Sequence, residues 1–196
     1  MTFSDRHEAG RQLAKKLIKY KGRDVVIYAL PRGGVVVGFE VAKKLKVPLD
    51  LVIARKIGHP RNPEYAVCAV TEDGERICDE KETASLDREW LEQETKKEVE
   101  EARRRKETYL GDKGHISAEG KTAIIVDNGI ATGLTVLAAI KSLRKQNPKE
   151  IIVAVPVVSR DIADILRKKT DKLVVLEEVE NLEAVGNYYG DFSQVS

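Results

Sequence analysis

Two cysteines and three histidines among 196 residues leave little to build a metal knuckle or a disulfide-framed scaffold. Cys68 and Cys78 have nine residues between them. That spacing fits neither a close-paired zinc site nor a disulfide framework, so both are expected to be small, inert apolar groups. His7, His59 and His115 are scattered without helical ligand spacing, and no structural metal is expected. A strong charge of either sign is also missing: 34 Lys and Arg oppose 32 Asp and Glu, for a formal net charge of +2. A nucleic-acid backbone is normally met by a clear excess of cations, so nucleic acid is not expected as a partner, and any phosphate bound should belong to a small molecule. The longest apolar run, Ile151 to Val158, falls far short of the ~20 residues that cross a bilayer. Asp5, Arg6, His7 and Glu8 stand where a secretory leader needs an apolar core, so a cytoplasmic location is expected.

What is present is a globular balance, 42% hydrophobic and 34% charged, in a chain of single-domain length. Ser4 to Tyr20 places Ala9, Leu13, Leu17 and Tyr20 at helical spacing opposite Lys15, Lys16 and Lys19. Asp24 to Leu30 reads as a strand, Pro31 to Gly34 as a turn, and Val35 to Leu45 as a helix. Leu49 to Ala54 and Ala66 to Val70 read as further strands, and the Gly- and Pro-containing stretch Arg55 to Tyr65 between them as a loop. From Asp79 to Glu107, 19 of 29 residues are charged, yet Leu91, Thr95, Val99, Ala102 and Tyr109 keep an apolar stripe. This predicts a long solvent-laced helix, with Arg103, Arg104 and Arg105 on its solvated face rather than on nucleic acid. Gly111 to Gly120 reads as a mobile connection. Beyond it the rhythm is strand (Thr122 to Asp127), helix (Thr132 to Gln146), strand (Glu150 to Val157), helix (Arg160 to Lys168) and strand (Leu173 to Leu176). Strands dense in Val and Ile on both faces require a parallel sheet covered by helices. The expected architecture is one α/β domain over residues 1–196, with 79–120 a charged helical insertion or cover.

In such a sheet ligands bind beyond the carboxyl ends of the strands. Two of those ends are unusual. Val126-Asp127 runs into Asn128-Gly129-Ile130-Ala131-Thr132-Gly133-Leu134-Thr135 and then into a helix. Gly129 and Gly133 let main-chain N–H groups turn toward one point, Thr132 and Thr135 add hydroxyls, and the helix adds its first-turn donors. That combination cradles a phosphate. No Gly-Lys-Ser/Thr follows, which excludes the ATPase loop, and the glycines lack dinucleotide-fold spacing. Asp127 and Asn128 can accept from a sugar diol, so the target reads as a ribose 5-phosphate.

This segment resembles the ribose-phosphate signature of type I phosphoribosyltransferases. Leu30-Pro31-Arg32-Gly33-Gly34 is similar to that family's diphosphate loop, and the segments Phe3 to Gly10 and Ala184 to Gln194 resemble an uncharacterised subgroup of it. The resemblance implies a Rossmann-like three-layer fold with a helical and C-terminal cover. It implies an enzyme that uses 5-phosphoribosyl-1-diphosphate (PRPP) and Mg²⁺, replacing diphosphate at C1 with a nitrogenous acceptor such as a nucleobase. Carried over by position, Asp127 and Asn128 would hold the ribose, Gly129 and Ala131 to Thr135 the 5-phosphate, and Pro31, Arg32, Gly33 and Gly34 the diphosphate. Asp127, Lys56 and Arg32 would be catalytic, with Arg55 an alternative to Lys56; the metal ligands are left open. The family's diphosphate loop often holds a non-proline cis peptide, which Gly33 or Gly34 would tolerate. Ile57 to Tyr65 would close over the site. In the tail, Tyr188, Tyr189 and Phe192 form an aromatic cluster, a core role weighing against stacking on an acceptor by Tyr189 and Phe192 with Asp191 reading its edge.

One departure is plain. The family usually has two adjacent acids where this chain has Asp127 and Asn128. An amide accepts from a ribose hydroxyl but does not stabilise a cationic sugar as a carboxylate does. A catalytically weak module that senses PRPP or a nucleotide is therefore the alternative reading. Trp90 and the long helix are candidates for a homo-oligomer contact.

Overall fold

The computed structural model describes residues 2–111 and 114–195. Helix α1 (Arg6–Lys16) opens the chain, its first turn capped by the Asp5 carboxylate, which accepts from the Glu8 N–H. Then follow β1 (Val25–Ala29), α2 (Gly33–Leu45) and β2 (Leu49–Leu51). The C-terminal half supplies β6 (Thr122–Val126), α5 (Leu134–Arg144), β7 (Glu150–Ser159), α6 (Arg160–Lys169) and β8 (Lys172–Val179). These five strands form one sheet in the order β2-β1-β6-β7-β8, every neighbour parallel.

The side chains of β1 show why the sheet needs two covers. Val25 and Ile27 pack with Leu13 and Leu17 of α1 and Val37 and Val41 of α2. Val26 and Tyr28 face the other way, into a cluster with Val136, Ala139, Ile140 and Leu143 of α5 and Ala163 and Leu166 of α6. Strict alternation puts successive residues on opposite faces, and both faces are buried. The expected three-layer α/β fold is what forms.

The stretch between β2 and β6 differs from the sequence reading. Arg55 to Tyr65 is a hairpin rather than a loop: β3 (Ala54–His59) turns at residues 60 and 61 into β4 (Asn62–Thr71), and β5 (Arg76–Cys78) adds a third antiparallel strand. Gly58, Pro60 and Asn62 read as breakers, but a two-residue hairpin with a bulge uses those residue types. Gly58 sits at the register shift, where a Cβ would lie 2.0 Å from the Pro63 carbonyl oxygen. The strand expected over Leu49 to Ala54 accordingly ends at Leu51, and Ala54 starts the second sheet.

Cys68 and Cys78 are not independent apolar groups. The turn between β4 and β5 sets them directly opposite in register, and they are joined as a disulfide. After α3 (Glu80–Thr83), the charged helix α4 (Arg88–Leu110) lies over this small sheet, burying Val99 and Ala102. Trp90 and Leu91 pack there with Ile57, Val67, Cys68 and Val70, so Trp90 is half-buried in its own chain. Residues 112 and 113 of the connection expected to be mobile lie outside the described residues. The rest is tied down: the Ile116 N–H donates to Asp50 Oδ2 at 2.7 Å and the Ala118 N–H to Gln146 Oε1 at 2.9 Å. No helix among the described residues is long and apolar enough to cross a membrane.

Candidate active site

The sheet order reverses between β1 and β6: the chain leaves β1 toward β2 on one side and β6 toward β7 on the other. A crevice opens at such a switch point. The two strand tips lie against each other there, the Leu30 N–H donating to the Val126 carbonyl at 3.0 Å. Gly34 makes the approach possible. A Cβ on it would sit 2.9 Å from the Val126 oxygen and 3.0 Å from the Asp127 Cα.

Both helices that begin at these tips lack a side-chain cap. α5 starts after Gly133, whose φ of +79° suits a residue without a Cβ, and α2 starts after Arg32. α6 is likewise uncapped at Ser159, whereas α1, α3 and α4 are capped by Asp5, Asp79 and Asp87. First-turn N–H groups have no partner within their own helix, so two sets of donors are left at one crevice for an anion. The Pro31–Arg32 peptide bond is cis, one residue before the glycines expected to accommodate such a bond.

The crevice is a cleft of about 450 Å³, lined by Leu30 and Pro31, by Asp127 to Gly133, by Thr135, and by Ala54, Arg55 and Lys56 of β3. Arg105 of α4 and Val185 of the tail complete it. Asp127 is the single carboxylate on this wall. Burial pushes its carboxyl up to about 7, opposed by the Asn128 N–H that donates to Oδ1 at 2.7 Å and by the charges of Lys56 and Arg6. Lys56 is exposed and carries no ion pair among the described residues, whereas Arg55 is held by Glu98 of α4 at 2.6 Å. Of the residues expected at the phosphate loop, Leu134 does not line the cleft and offers only its main chain. Arg32 is exposed and lines a neighbouring cavity.

The tail residues expected at an acceptor are not brought to the cleft. Tyr189 is buried, its ring tilted between Phe3 and Phe192 at centroid distances of 5.4 and 5.0 Å. Asp191 faces solvent and accepts from the Ser193 N–H at 2.8 Å. Phe192 lies beneath the Arg6 guanidinium, 3.9 Å from it. The reason lies in how the tail pairs with the N-terminus: the Gly190 N–H donates to the Phe3 carbonyl and the Asp191 N–H to that of Ser4, which turns the aromatic rings inward.

Two residues escape the sequence reading. Arg105 reads as part of a solvated face, because helix spacing alone does not show which turn of α4 meets the cleft. Arg6 comes from the first helix, donates from Nη1 to the Ser193 carbonyl at 2.9 Å, and has a buried Nε without a partner, 3.2 Å from where a Gly33 Cβ would be. The Phe3 to Gly10 segment stands out in the sequence, but its proximity to the diphosphate-type loop is not readable there.

With this geometry in view, the family model for the phosphoribosyl transferase domain matches residues 4–191. The chain belongs to the phosphoribosyl transferase family. It is 40% identical over 196 residues to proteins of two Mycobacterium tuberculosis strains named "Putative phosphoribosyl transferase", covering 99% of this chain and 44% of theirs. The chain thus spans under half the length of these relatives. The crystal structure of TT1426 from Thermus thermophilus superposes with a TM-score of 0.83 at 37% identity, covering 100% of this chain and 94% of that one. A purine phosphoribosyltransferase from Pyrococcus horikoshii shares the fold, with a TM-score of 0.53 at 20% identity over 92% of this chain and 87% of its own. The type I phosphoribosyltransferase fold expected from the sequence is therefore the fold of this protein.

Proposed function

We propose that the cleft binds PRPP and that the protein transfers its 5-phosphoribosyl group to a nitrogenous acceptor with release of diphosphate. The observation that carries this reading is the pair of uncapped helix starts, α2 and α5, at adjoining strand tips beside one half-buried acid, Asp127. In it, the turn from Gly129 through Thr135 takes the 5-phosphate, Asp127 and Asn128 accept from the ribose hydroxyls, and Pro31 to Gly34 with Lys56 meet the diphosphate. The C1–O bond to diphosphate breaks as the acceptor nitrogen bonds to C1, so positive charge develops on the sugar and negative charge on the leaving group. Asp127, Lys56 and Arg32 are then placed by charge to act on both, which is electrostatic positioning rather than proton transfer.

Magnesium fits this arrangement as a substrate-borne ion. Among the described residues no group of three or more His, Cys, Asp or Glu side chains gathers to cage a metal, and Asp127 is the one carboxylate at the cleft. Mg²⁺ is commonly held by one or two carboxylates together with substrate phosphates and water. Asp127 would be this chain's contribution, and the ion would supply charge neutralisation on the diphosphate.

Asn128 supports a second reading, a module that binds PRPP or a nucleotide with little turnover, because the second acid of the pair is replaced by an amide. Both readings share the ligand. Calorimetric titration with PRPP, with and without Mg²⁺, tests it: saturable, Mg²⁺-strengthened binding lost in Asp127→Ala is expected. Absence of binding to the unaltered protein would remove both readings.

A further inference from the structure

The near-neutral total charge conceals a segregation along the chain. Residues 1–48 hold 11 Lys and Arg against 4 Asp and Glu, whereas residues 49–196 hold 23 against 28. The fold gathers much of this excess between α1 and α2, in a groove of about 480 Å³ lined by Arg11, Lys15, Lys21, Lys43, Lys44 and Lys46, with Glu40 as its one acid. All six cations are exposed, and none has an ion pair among the described residues. Glu40 already faces His7 Nδ1 at 2.9 Å. Cations in the last turn of a helix complement its dipole, which accounts for Lys15, Lys43 and Lys44. It does not account for Arg11 in the middle of α1, nor for Lys21 and Lys46 beyond the helix ends. Lys46 moreover holds a φ of +57° after α2, a position where glycine carries no Cβ penalty.

We propose that this face docks on an anionic lipid surface, its lysines meeting headgroup phosphates while the exposed Phe39 and Ile18 enter the acyl boundary. Two observations favour lipid over nucleic acid. Five of the six cations are Lys, a point charge that does not fork onto a phosphate as a guanidinium does, so the face answers to charge density rather than phosphate geometry. Of the five large hydrophobic side chains exposed among the described residues, two belong to this pair of segments. Phe39 lies one turn before Lys43, whose Nζ is 5.8 Å from its ring, and Ile18 follows Lys15 by three residues. An aliphatic side chain does not stack on a base, whereas apolar groups beside lysines are what an interfacial helix buries in a bilayer. An anionic surface is also what the cytoplasmic leaflet presents. The placement keeps the cleft free, because α2 begins at the cleft with Gly33 and carries its lysines 13 residues on, about 20 Å away at the helical rise. A docked protein thus keeps its site open to small molecules in solution.

Co-sedimentation of the full chain with vesicles of phosphatidylcholine, alone or with phosphatidylglycerol added, at low and high salt, tests the docking. Association with the anionic vesicles alone, reversed by salt, is expected. One cation near such a surface multiplies partitioning about fivefold, so the double variant Lys43→Gln, Lys44→Gln should bind about twentyfold more weakly. Phe39→Ser should weaken binding severalfold with no change in charge. These side chains are exposed, so urea midpoints should stay where they are, and no arm of the experiment depends on PRPP binding. No association with anionic vesicles, or equal association of the double lysine variant, would overturn the proposal. Equal association of Phe39→Ser would overturn the insertion of an apolar side chain. A single-stranded RNA oligomer bound at a salt concentration that releases the anionic vesicles would assign the face to nucleic acid instead.

Discussion

The Tyr189 hydroxyl donates a 2.5 Å hydrogen bond to the main-chain carbonyl of Asn128, 61 residues earlier in the chain. The phenol is buried, and burial pushes its ionisation upward, so it remains a donor throughout the ordinary pH range. The tail thereby supports the strand tip that carries Asp127. Tyr189→Phe leaves the ring packing but strands a carbonyl, which costs about 1–3 kcal/mol where water does not replace the donor. The expected result is a lower urea midpoint together with a weaker PRPP affinity. Equal PRPP affinity would mean the tail holds the fold without tuning the site.

Gly34 offers a sharper probe of the same junction. A methyl group there meets main-chain atoms of Val126 and Asp127, which cannot rotate away as a side chain can. Gly34→Ala is expected to cost about 1–3 kcal/mol, as overpacking does, and to abolish measurable PRPP binding by spreading the two strand tips. Gly22→Ala, at an open turn with nothing near it, controls for a general loss of glycine, since its penalty comes from a φ of +69° alone.

Which parts are legible in the sequence follows from how local their causes are. The strands over Val25–Ala29 and Thr122–Val126 are runs rich in β-branched residues, followed by a Pro-Arg-Gly-Gly turn or an acid, so the strands and the crevice at their tips can be read in place. The hairpin over Ala54–Thr71 cannot, because its Gly, Pro and Asn residues serve equally in a loop and only the pairing of Arg55 with Val70 and Ile57 with Cys68 decides. The same pairing brings Cys68 to Cys78. Arg6 and Arg105 reach the site through packing between elements distant in sequence, and periodicity within one helix carries no record of that.

Asp50 links β2 to the returning chain and gives a pH signature. It is 2% exposed, with His115 Nδ1 and the Ile116 N–H each 2.7 Å from Oδ2, and the Leu51 N–H 2.7 Å from Oδ1. Burial pushes the carboxyl up, but these partners outweigh it and hold it below its ordinary 3.8. A folded value under the unfolded one means the stabilisation is complete above the unfolded value and is lost as pH falls through the folded one. Urea unfolding should therefore show the advantage of the unaltered protein over Asp50→Asn shrinking below about pH 4. A difference that stays constant down to about pH 2 would assign the effect to packing.

The Cys68–Cys78 crosslink closes a short loop within the small sheet, with a sequence separation of 10. Loop-closure entropy assigns it about 2.7 kcal/mol against the unfolded chain. Trp90, the single tryptophan, packs on this sheet and reports on it by fluorescence. Dithiothreitol is expected to lower the midpoint seen by Trp90, while the double variant Cys68→Ala, Cys78→Ala is indifferent to reductant. An equal response of both proteins would mean that the bond does not stabilise the sheet.

Asn128 decides between turnover and sensing. Its neighbour Asp127 already sits where burial disfavours negative charge, so a second carboxylate is costly in the empty site and becomes favourable only when a cation is there. A ribose losing diphosphate at C1 is such a cation in the making. Stabilisation that exists mainly in the transition state raises the rate rather than the affinity. Asn128→Asp is therefore expected to speed diphosphate release from bound PRPP by at least about tenfold, roughly 1.4 kcal/mol of barrier, with PRPP affinity equal or lower. Diphosphate release followed by a coupled phosphatase assay measures the first quantity and calorimetry the second. Brisk release by the unaltered protein that Asn128→Asp leaves unchanged would mean the amide costs nothing in catalysis, and the sensing role would lose its only structural motive.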